Sequence, residues 1–340
     1  MKPRLKPIAD QVIVITGASS GNGLATAREA ARRGASVVLV ARNAGALQKI
    51  EDELRNAGCR AAICTTDVGK PGSAERIAQT AIAAFGGFDT WINCAAVTAY
   101  GTLEQLGTEE QRRVMDVDYF GMLDGSLVAL KHLRQRGGGA IINVGSVLSD
   151  RAVIKQPAYC AAKAAVRSMT ESLRMDIERE GLPISVTLIK PTGIHTPFPE
   201  HGRNHMEEAP RIPQVMYGPE LVAEAILFAA EHPRRQIYVG GTGFVLSLLA
   251  RTFPRITDRI MELALVRTQQ SPDYIGDPAA RDNLFEPRKD GSVEGSQPFP
   301  VKRFSLFLAA QKRPRLAAAM FGGLVLAAVR MAQKRSLRRT

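Results

Sequence analysis

Three side chains near the middle of the chain have the types and spacing for proton transfer. Ser146 ends an apolar run, Tyr159 follows thirteen residues later, and Lys163 lies four beyond it in YCAAK. If AYCAAKAAVRSMTESLRMDI is helical, as its apolar spacing predicts, Tyr159 and Lys163 share one face. A free tyrosine ionises near ~10 and is a poor base at neutral pH. A cation held close favours the phenolate, so the same hydroxyl can accept or donate a proton. Ser146 can hydrogen-bond a carbonyl or hydroxyl oxygen and hold it against Tyr159. A lone Y-x-x-x-K is weak, because many surface helices contain one.

A second feature gives the trio its weight. VIVITGASSGNG, residues 12–23, ends an apolar run in a loop whose Gly17, Gly21 and Gly23 read G-x-x-x-G-x-G, before the helix-like LATAREAARRG. Glycine lets the backbone turn sharply and approach a pyrophosphate, and the helix N-terminus offers N–H groups and a positive dipole end. The bland alternative is a strand-to-helix turn without a ligand. Its coincidence with Ser146, Tyr159 and Lys163 favours the cradle. After the second apolar run an acidic residue would bond the ribose hydroxyls of NAD, and an arginine the 2′-phosphate of NADP. LVARN has no Asp or Glu there, and Arg42 stands just past the run. NADP is therefore expected, with NAD as the alternative.

Over roughly residues 8–245 the chain resembles the short-chain dehydrogenase/reductase family. TGASSGNG resembles the family's cofactor loop and contributes Gly17, Ser19, Ser20, Gly21, Asn22 and Gly23. NCAA at 93–96 is similar to its N-N-A-G element (Asn93, Ala95), Asp67-Val68 to its adenine-contacting pair, and PTGIHT at 191–196 to the segment beside the nicotinamide (Pro191, Thr192, Ile194, Thr196). Ser146, Tyr159 and Lys163 match its catalytic residues. The resemblance implies hydride transfer between a nicotinamide and a small carbonyl or alcohol, a lysine that also binds the nicotinamide ribose, and a homo-oligomer, dimer or tetramer. Three residues depart from the pattern. Asn22 replaces an isoleucine, and could bond a phosphate or cap the helix. Thr192 replaces a glycine. MDVDYFG puts Asp118 where the family has a catalytic asparagine on the proton path to the lysine. A carboxylate there favours protonated Lys163 and opposes the Tyr159 phenolate. A nucleotide-binding scaffold at a membrane, with vestigial chemistry, is the alternative of a different class.

The elements that must position these residues are legible as a repeat. Apolar runs at 11–16, 36–41, 61–68, 89–95, 140–146 and 184–191, with a seventh at 236–241, read as buried strands rich in Val and Ile. Helical patterns that often end in Gly separate them, which predicts an α/β fold: a doubly wound, Rossmann-type parallel sheet of about seven strands with helices on both faces. The expected organisation is a catalytic domain at 1–250, a helical extension at 251–267, a Pro/Gly/charged linker at 268–300, and a basic tail with a short apolar helix at 301–340.

Composition narrows the partners. The net charge of +12 is carried by the tail, where residues 301–340 hold ten Lys or Arg and no acidic residue, leaving 35 basic against 33 acidic residues elsewhere. A near-neutral body argues against a nucleic-acid groove. The run 316–329, flanked by KRPR and RMAQKRSLRR, is shorter than the ~20 residues of a span and reads either as a docked helix or as a short membrane anchor, to whose surface amphipathic 244–265 would add. Cys59, Cys64, Cys94 and Cys160 show no metal-ligand spacing and fit a reducing cytosol. The expected location is cytoplasmic, with the tail as a membrane contact. HGRNH (His201, His205) reads as a polar lid rather than a metal site, and Val97, Thr98, Tyr100 and Phe198 as candidate substrate-pocket residues.

Overall fold

The β-branched runs fold as the parallel strands their composition favours. The structure, a computed structural model, describes residues 3–212, 215–265, 269–271, 282–288, 291–315 and 317–319. Its sheet contains β1 (Val12–Thr16), β2 (Ser36–Ala41), β3 (Ala61–Thr65), β4 (Thr90–Asn93), β5 (Gly139–Val144), β6 (Ile184–Pro191) and β7 (Gln236–Val239), in the order β7-β6-β5-β4-β1-β2-β3 and parallel throughout. The register sets Ile15 opposite Leu39 on one side and Ile92 on the other.

Alternation along each strand feeds two cores. Ile13, Ile15, Val37 and Leu39 meet α1 (Gly21–Arg32), α2 (Ala44–Asn56) and α7 (Pro219–Glu231), burying Leu24, Leu47, Leu221 and Ile226. Val12, Val14, Val38 and Val40 face α3 (Ser73–Phe85), α5 (Gly121–Arg136) and α6 (Pro157–Arg179), burying Ile77, Leu133, Leu173 and Ile177. Between β4 and α5 lies α4 (Thr108–Met115), joined to α5 by a π-helical turn at Asp116–Phe120.

Strand order reverses between β1 and β4, so the chain leaves their carboxyl ends in opposite directions and opens a crevice. Thr16 pins its floor: the Oγ1 accepts from Cys94 N (2.9 Å) and Ala95 N (3.1 Å) and donates to Ile92 O (3.3 Å).

Beyond β7 the chain makes α8 (Gly241–Thr252) and α9 (Pro254–Ile260). It later pairs Val301–Lys302 with Met216–Tyr217 and ends its described course near α10 (Leu306–Lys312). Leu308 enters the main core, and the Gln311 amide exchanges hydrogen bonds with Tyr238 (2.9 and 3.0 Å), covering the open edge of β7. The described part of 268–300 differs from a linker: Gln269, Asn283, Pro287 and Arg288 line the crevice, and Leu284 is buried. Of the apolar run 316–329, only residues 317–319 are described. No described helix is long and apolar enough to cross a membrane.

Candidate active site

The glycine loop between β1 and α1 owes its shape to absent side chains. Gly17 has φ +70°, and a Cβ there would sit 2.8 Å from Ala95 Cα; one on Gly23 would sit 2.1 Å from Gly17 O. Only glycine permits either approach. Ser20, in extended conformation, occupies the N-cap of α1, so Asn22 lies inside the first turn and is not the cap. Its Oδ1 is buried without a hydrogen-bond partner among the described residues. First-turn N–H groups have no carbonyl one turn back; Gly21 N is taken by Ser292 O at 2.9 Å, and the donors after it lie beside the crevice.

Across the crevice, Ser146 follows β5 and caps a short 3-10 turn, its Oγ accepting from Leu148 N at 3.1 Å. Pro157 starts α6, and Tyr159 and Lys163, about one turn apart, project from the same face. Tyr159 and Ser146 line the same cavity, and the Ser146 hydroxyl lies close enough to favour the Tyr159 phenolate. Lys163 Nζ lies 5.4 Å from the centre of the Tyr159 ring and donates to Val144 O (3.3 Å). Behind Lys163 stands Asp118, carried by the π-helical turn, with Oδ2 3.2 Å from Lys163 Nζ and Oδ1 accepting from Val97 N at 2.8 Å. Both partners are fully buried. Burial raises the Asp118 pKa, and the Lys163 charge works against that rise. Burial likewise pushes the Tyr159 hydroxyl above its ordinary range and the Asp118 charge adds to this, while the nearby Ser146 hydroxyl pulls the other way.

One cavity of about 530 Å³ joins the two halves. Gly17, Ser19, Ser20, Gly21, Asn22, Gly23, Arg42, Asp67, Val68 and Ala95 line it together with Ser146, Tyr159, Lys163, Pro191, Thr192, Ile194 and Thr196. Asn93 does not line it. Its amide is buried beneath, bonding Trp91 Nε1 (2.8 Å), Ser126 Oγ (3.1 Å) and Asn143 Oδ1 (2.9 Å), and ties β4 to β5 and α5. Asp118 does not line the cavity either and lies behind Lys163. Asp67 reaches the cavity while its carboxylate is held by Arg113 at 2.6 Å. Thr192, replacing glycine, donates its hydroxyl to Val239 O, and Gly240 (φ +104°) leaves the room this needs.

Apolar side chains form much of the rest of the wall: Val97, Tyr100, Val147, Leu148, Val153, Phe198, Leu246 and Met261 line the cavity, and Phe198 packs 5.4 Å from Tyr159 between ring centres. Thr98 is not among these residues; it is buried and within 3.4 Å of Gln156 Nε2. In the HGRNH stretch, His205 Nε2 meets Glu110 at 2.9 Å, and Arg203 bonds Glu110 and Asp282. No group of three metal-ligating side chains occurs among the described residues. Sequence reasoning missed Gln156, Arg211, Asn283 and Arg288, all at the cavity wall. Asn283 and Arg288 come from a segment whose composition carries no motif, so only the fold brings them here.

The comparisons agree with this geometry. A family model described as short chain dehydrogenase matches residues 11–207. An uncharacterised oxidoreductase of Bacillus subtilis, YxnA, is 44% identical over 326 residues, covering 95% of this chain and 91% of the relative. Among solved structures, a short chain dehydrogenase/reductase from Burkholderia phymatum in complex with NAD is 28% identical, with a TM-score of 0.66 over 72% of this chain and 94% of that one. L-Sorbose reductase from Gluconobacter frateurii, complexed with NADPH and L-sorbose, is 25% identical, with a TM-score of 0.60 over 71% of this chain and 98% of that one. The chain belongs to the short-chain dehydrogenase/reductase family. It is an oxidoreductase built for a nicotinamide cofactor, and the close-approach glycines, the orphaned Asn22 Oδ1 and the crevice at the strand-order switch fit such a dinucleotide.

Proposed function

We propose that the protein is an NADP(H)-dependent reductase of small, largely apolar ketones or aldehydes, using Ser146, Tyr159 and Lys163. The observation that carries this reading is that Ser146, Tyr159 and Lys163, with Lys163 Nζ 5.4 Å from the centre of the Tyr159 ring, line the same cavity as the glycine loop. A bound reduced dinucleotide supplies the hydride to the carbonyl carbon, and the carbonyl becomes the alcohol. Ser146 Oγ orients the carbonyl oxygen. Tyr159 Oη gives its proton to that oxygen as negative charge develops there. With its pKa raised, Tyr159 rests protonated, the state a reduction requires. The Lys163 charge favours the phenolate left behind, and Asp118 partly offsets that charge; by the family resemblance Lys163 would also hold the nicotinamide ribose.

Arg42 supports NADP over NAD. It stands at the end of β2 where no carboxylate is present, with its guanidinium oriented by the carbonyls of Asn283, Leu284 and Phe285. A 2′-phosphate would gain a charge-assisted contact there, and Arg288 is a second cation on the same wall. The family resemblance supports a homo-oligomer, for which Phe120, Leu127 and Met175 supply exposed apolar surface on α5, α6 and the turn before them. The test is turnover of a panel of ketones, aldehydes and alcohols with NADPH and NADH, alongside dinucleotide titrations of Arg42→Ala. The expected result is ketone or aldehyde reduction with NADPH, and NADPH affinity reduced by about tenfold in Arg42→Ala with little change for NADH. Equal loss for both dinucleotides contradicts the assignment of Arg42.

A further inference from the structure

Residues 282–288 and 291–297 lie outside the segment matched by the family model, yet they cross the mouth of the cofactor crevice. The contact with the glycine loop is backbone to backbone: Gly291 N donates to Ser19 O and Gly21 N donates to Ser292 O, both at 2.9 Å. Beside it, Asn43 Nδ2 donates to Arg288 O (2.7 Å), and Arg42 bonds the carbonyls of Asn283 to Phe285. Arg113, which also holds Asp67, donates through Nε to Leu284 O at 2.9 Å. The peptide is thus gripped by arginines on the adenosine side of the cavity.

Both ends of this crossing are anchored. Leu284 is fully buried in a cluster with Val97, Val114 and Val117, and Asn283 N donates to His201 O at 2.8 Å. At the far end, the Gln297 carbonyl meets His195 Nε2 (3.0 Å) and its Oε1 accepts from Ile212 N (3.1 Å), while Gly295 sits so near Thr196 O that a Cβ would lie at 2.6 Å. The following residues pair with Met216–Tyr217. Asn283, Pro287 and Arg288 line the cavity as directly as the glycine loop does.

We infer that this segment is a strap forming the outer wall of the dinucleotide site, so that the cofactor enters and leaves only when the strap lifts from the glycine loop. The inference rests on the nicotinamide-cofactor reading above. The strap contributes mostly its own backbone carbonyls and amides, which side chains of the body grip, and Leu284 is its one fully buried apolar residue among those described. It is suited to opening as a unit, since few of its own buried side chains must leave their neighbours. Its chemical consequence is slow cofactor exchange: the dinucleotide is retained through turnover, and opening limits the rate at which a new one is taken up.

The test is stopped-flow NADPH fluorescence with the full-length protein, measuring association at rising NADPH and release by dilution or displacement. In the wild type the observed association rate levels off at high NADPH, because opening becomes limiting. In Leu284→Ala, which loosens the anchor, the plateau and the release rate rise by about tenfold. Hydrogen exchange on the wild type gives a second readout: amides of Gly291 and Asn283 exchange more slowly once NADPH is bound. A wild-type association rate that stays linear in NADPH, with release and amide exchange unchanged by variant or ligand, overturns the strap's role. Failure of the wild type to bind NADPH or NADH at all overturns the cofactor reading and the strap with it.

Discussion

At the residue scale, the pair Lys163–Asp118 sets this site apart. Two groups 3.2 Å apart with almost no exposure form a buried ion pair, where the family pattern has lysine and asparagine. Desolvation there is costly and is offset by the pair's own attraction, by the bonds from Val97 N and to Val144 O, and by the Arg113 charge. The negative charge also works against the Tyr159 phenolate, on top of burial. Asp118→Asn removes that charge and lowers the Tyr159 pKa. Oxidation of an alcohol needs the phenolate and is lost as pH falls, so its acid limb should move to lower pH by about one unit. The check is kcat/KM for alcohol oxidation against pH in both proteins; an acid limb that stays in place or moves upward contradicts the coupling. That Tyr159 and Lys163 lie together was legible from spacing, because one helical turn fixes them on one face; their part in proton transfer is the proposal made above. The Asp118 ion pair was legible only in part: its effect on both groups follows from charge, but its distance depends on the π-helical turn, which no local pattern announces.

At the scale of elements, each strand was readable because β-branched residues pack on both faces of a parallel sheet and so leave unbroken apolar runs. The strands end earlier than the runs do, at Thr65 and Asn93, because the residues beyond turn outward to line the crevice. The strap was not readable. Its attachments use backbone carbonyls and amides, its one fully buried apolar residue is Leu284, and the same composition elsewhere makes a solvated linker. The glycine loop is the element on which cofactor binding depends most sharply. Gly23→Ala places a methyl group against Gly17 O, which is backbone and cannot move aside without opening the β1–α1 turn. The expected outcome is loss of dinucleotide binding together with roughly 1–3 kcal/mol of stability. Fluorescence titration and thermal melts measure both, and retained NADPH affinity contradicts the close approach.

At the scale of the whole molecule, the chain closes on itself from both ends. Near the start, Asp89 collects Lys6 (2.7 Å), Val12 N (2.9 Å) and Arg136 (2.9 Å), joining the N-terminal segment to β1 and the end of α5. Burial opposes ionisation of Asp89, but these partners outweigh it and hold the carboxyl below its ordinary value. A depressed carboxylate contributes stability above the unfolded-state pKa, and that contribution is lost as pH falls through the folded-state value. Asp89→Asn should therefore cost roughly 2 kcal/mol near neutral pH, with the difference from wild type shrinking below about pH 4. Urea unfolding across that range checks the sign; a difference that grows in acid contradicts it. At the other end, α10 covers the β7 edge and the strap covers the crevice, so the extension completes both the sheet and the cofactor site. The central claim remains chemical, and the most direct measurement of it is NADPH-dependent reduction of the best ketone or aldehyde by wild type and Tyr159→Phe. The account predicts a rate lower by at least about a hundredfold in Tyr159→Phe with NADPH affinity unchanged. Equal rates in the two proteins, or bound NADPH with no turnover of any carbonyl, would contradict it.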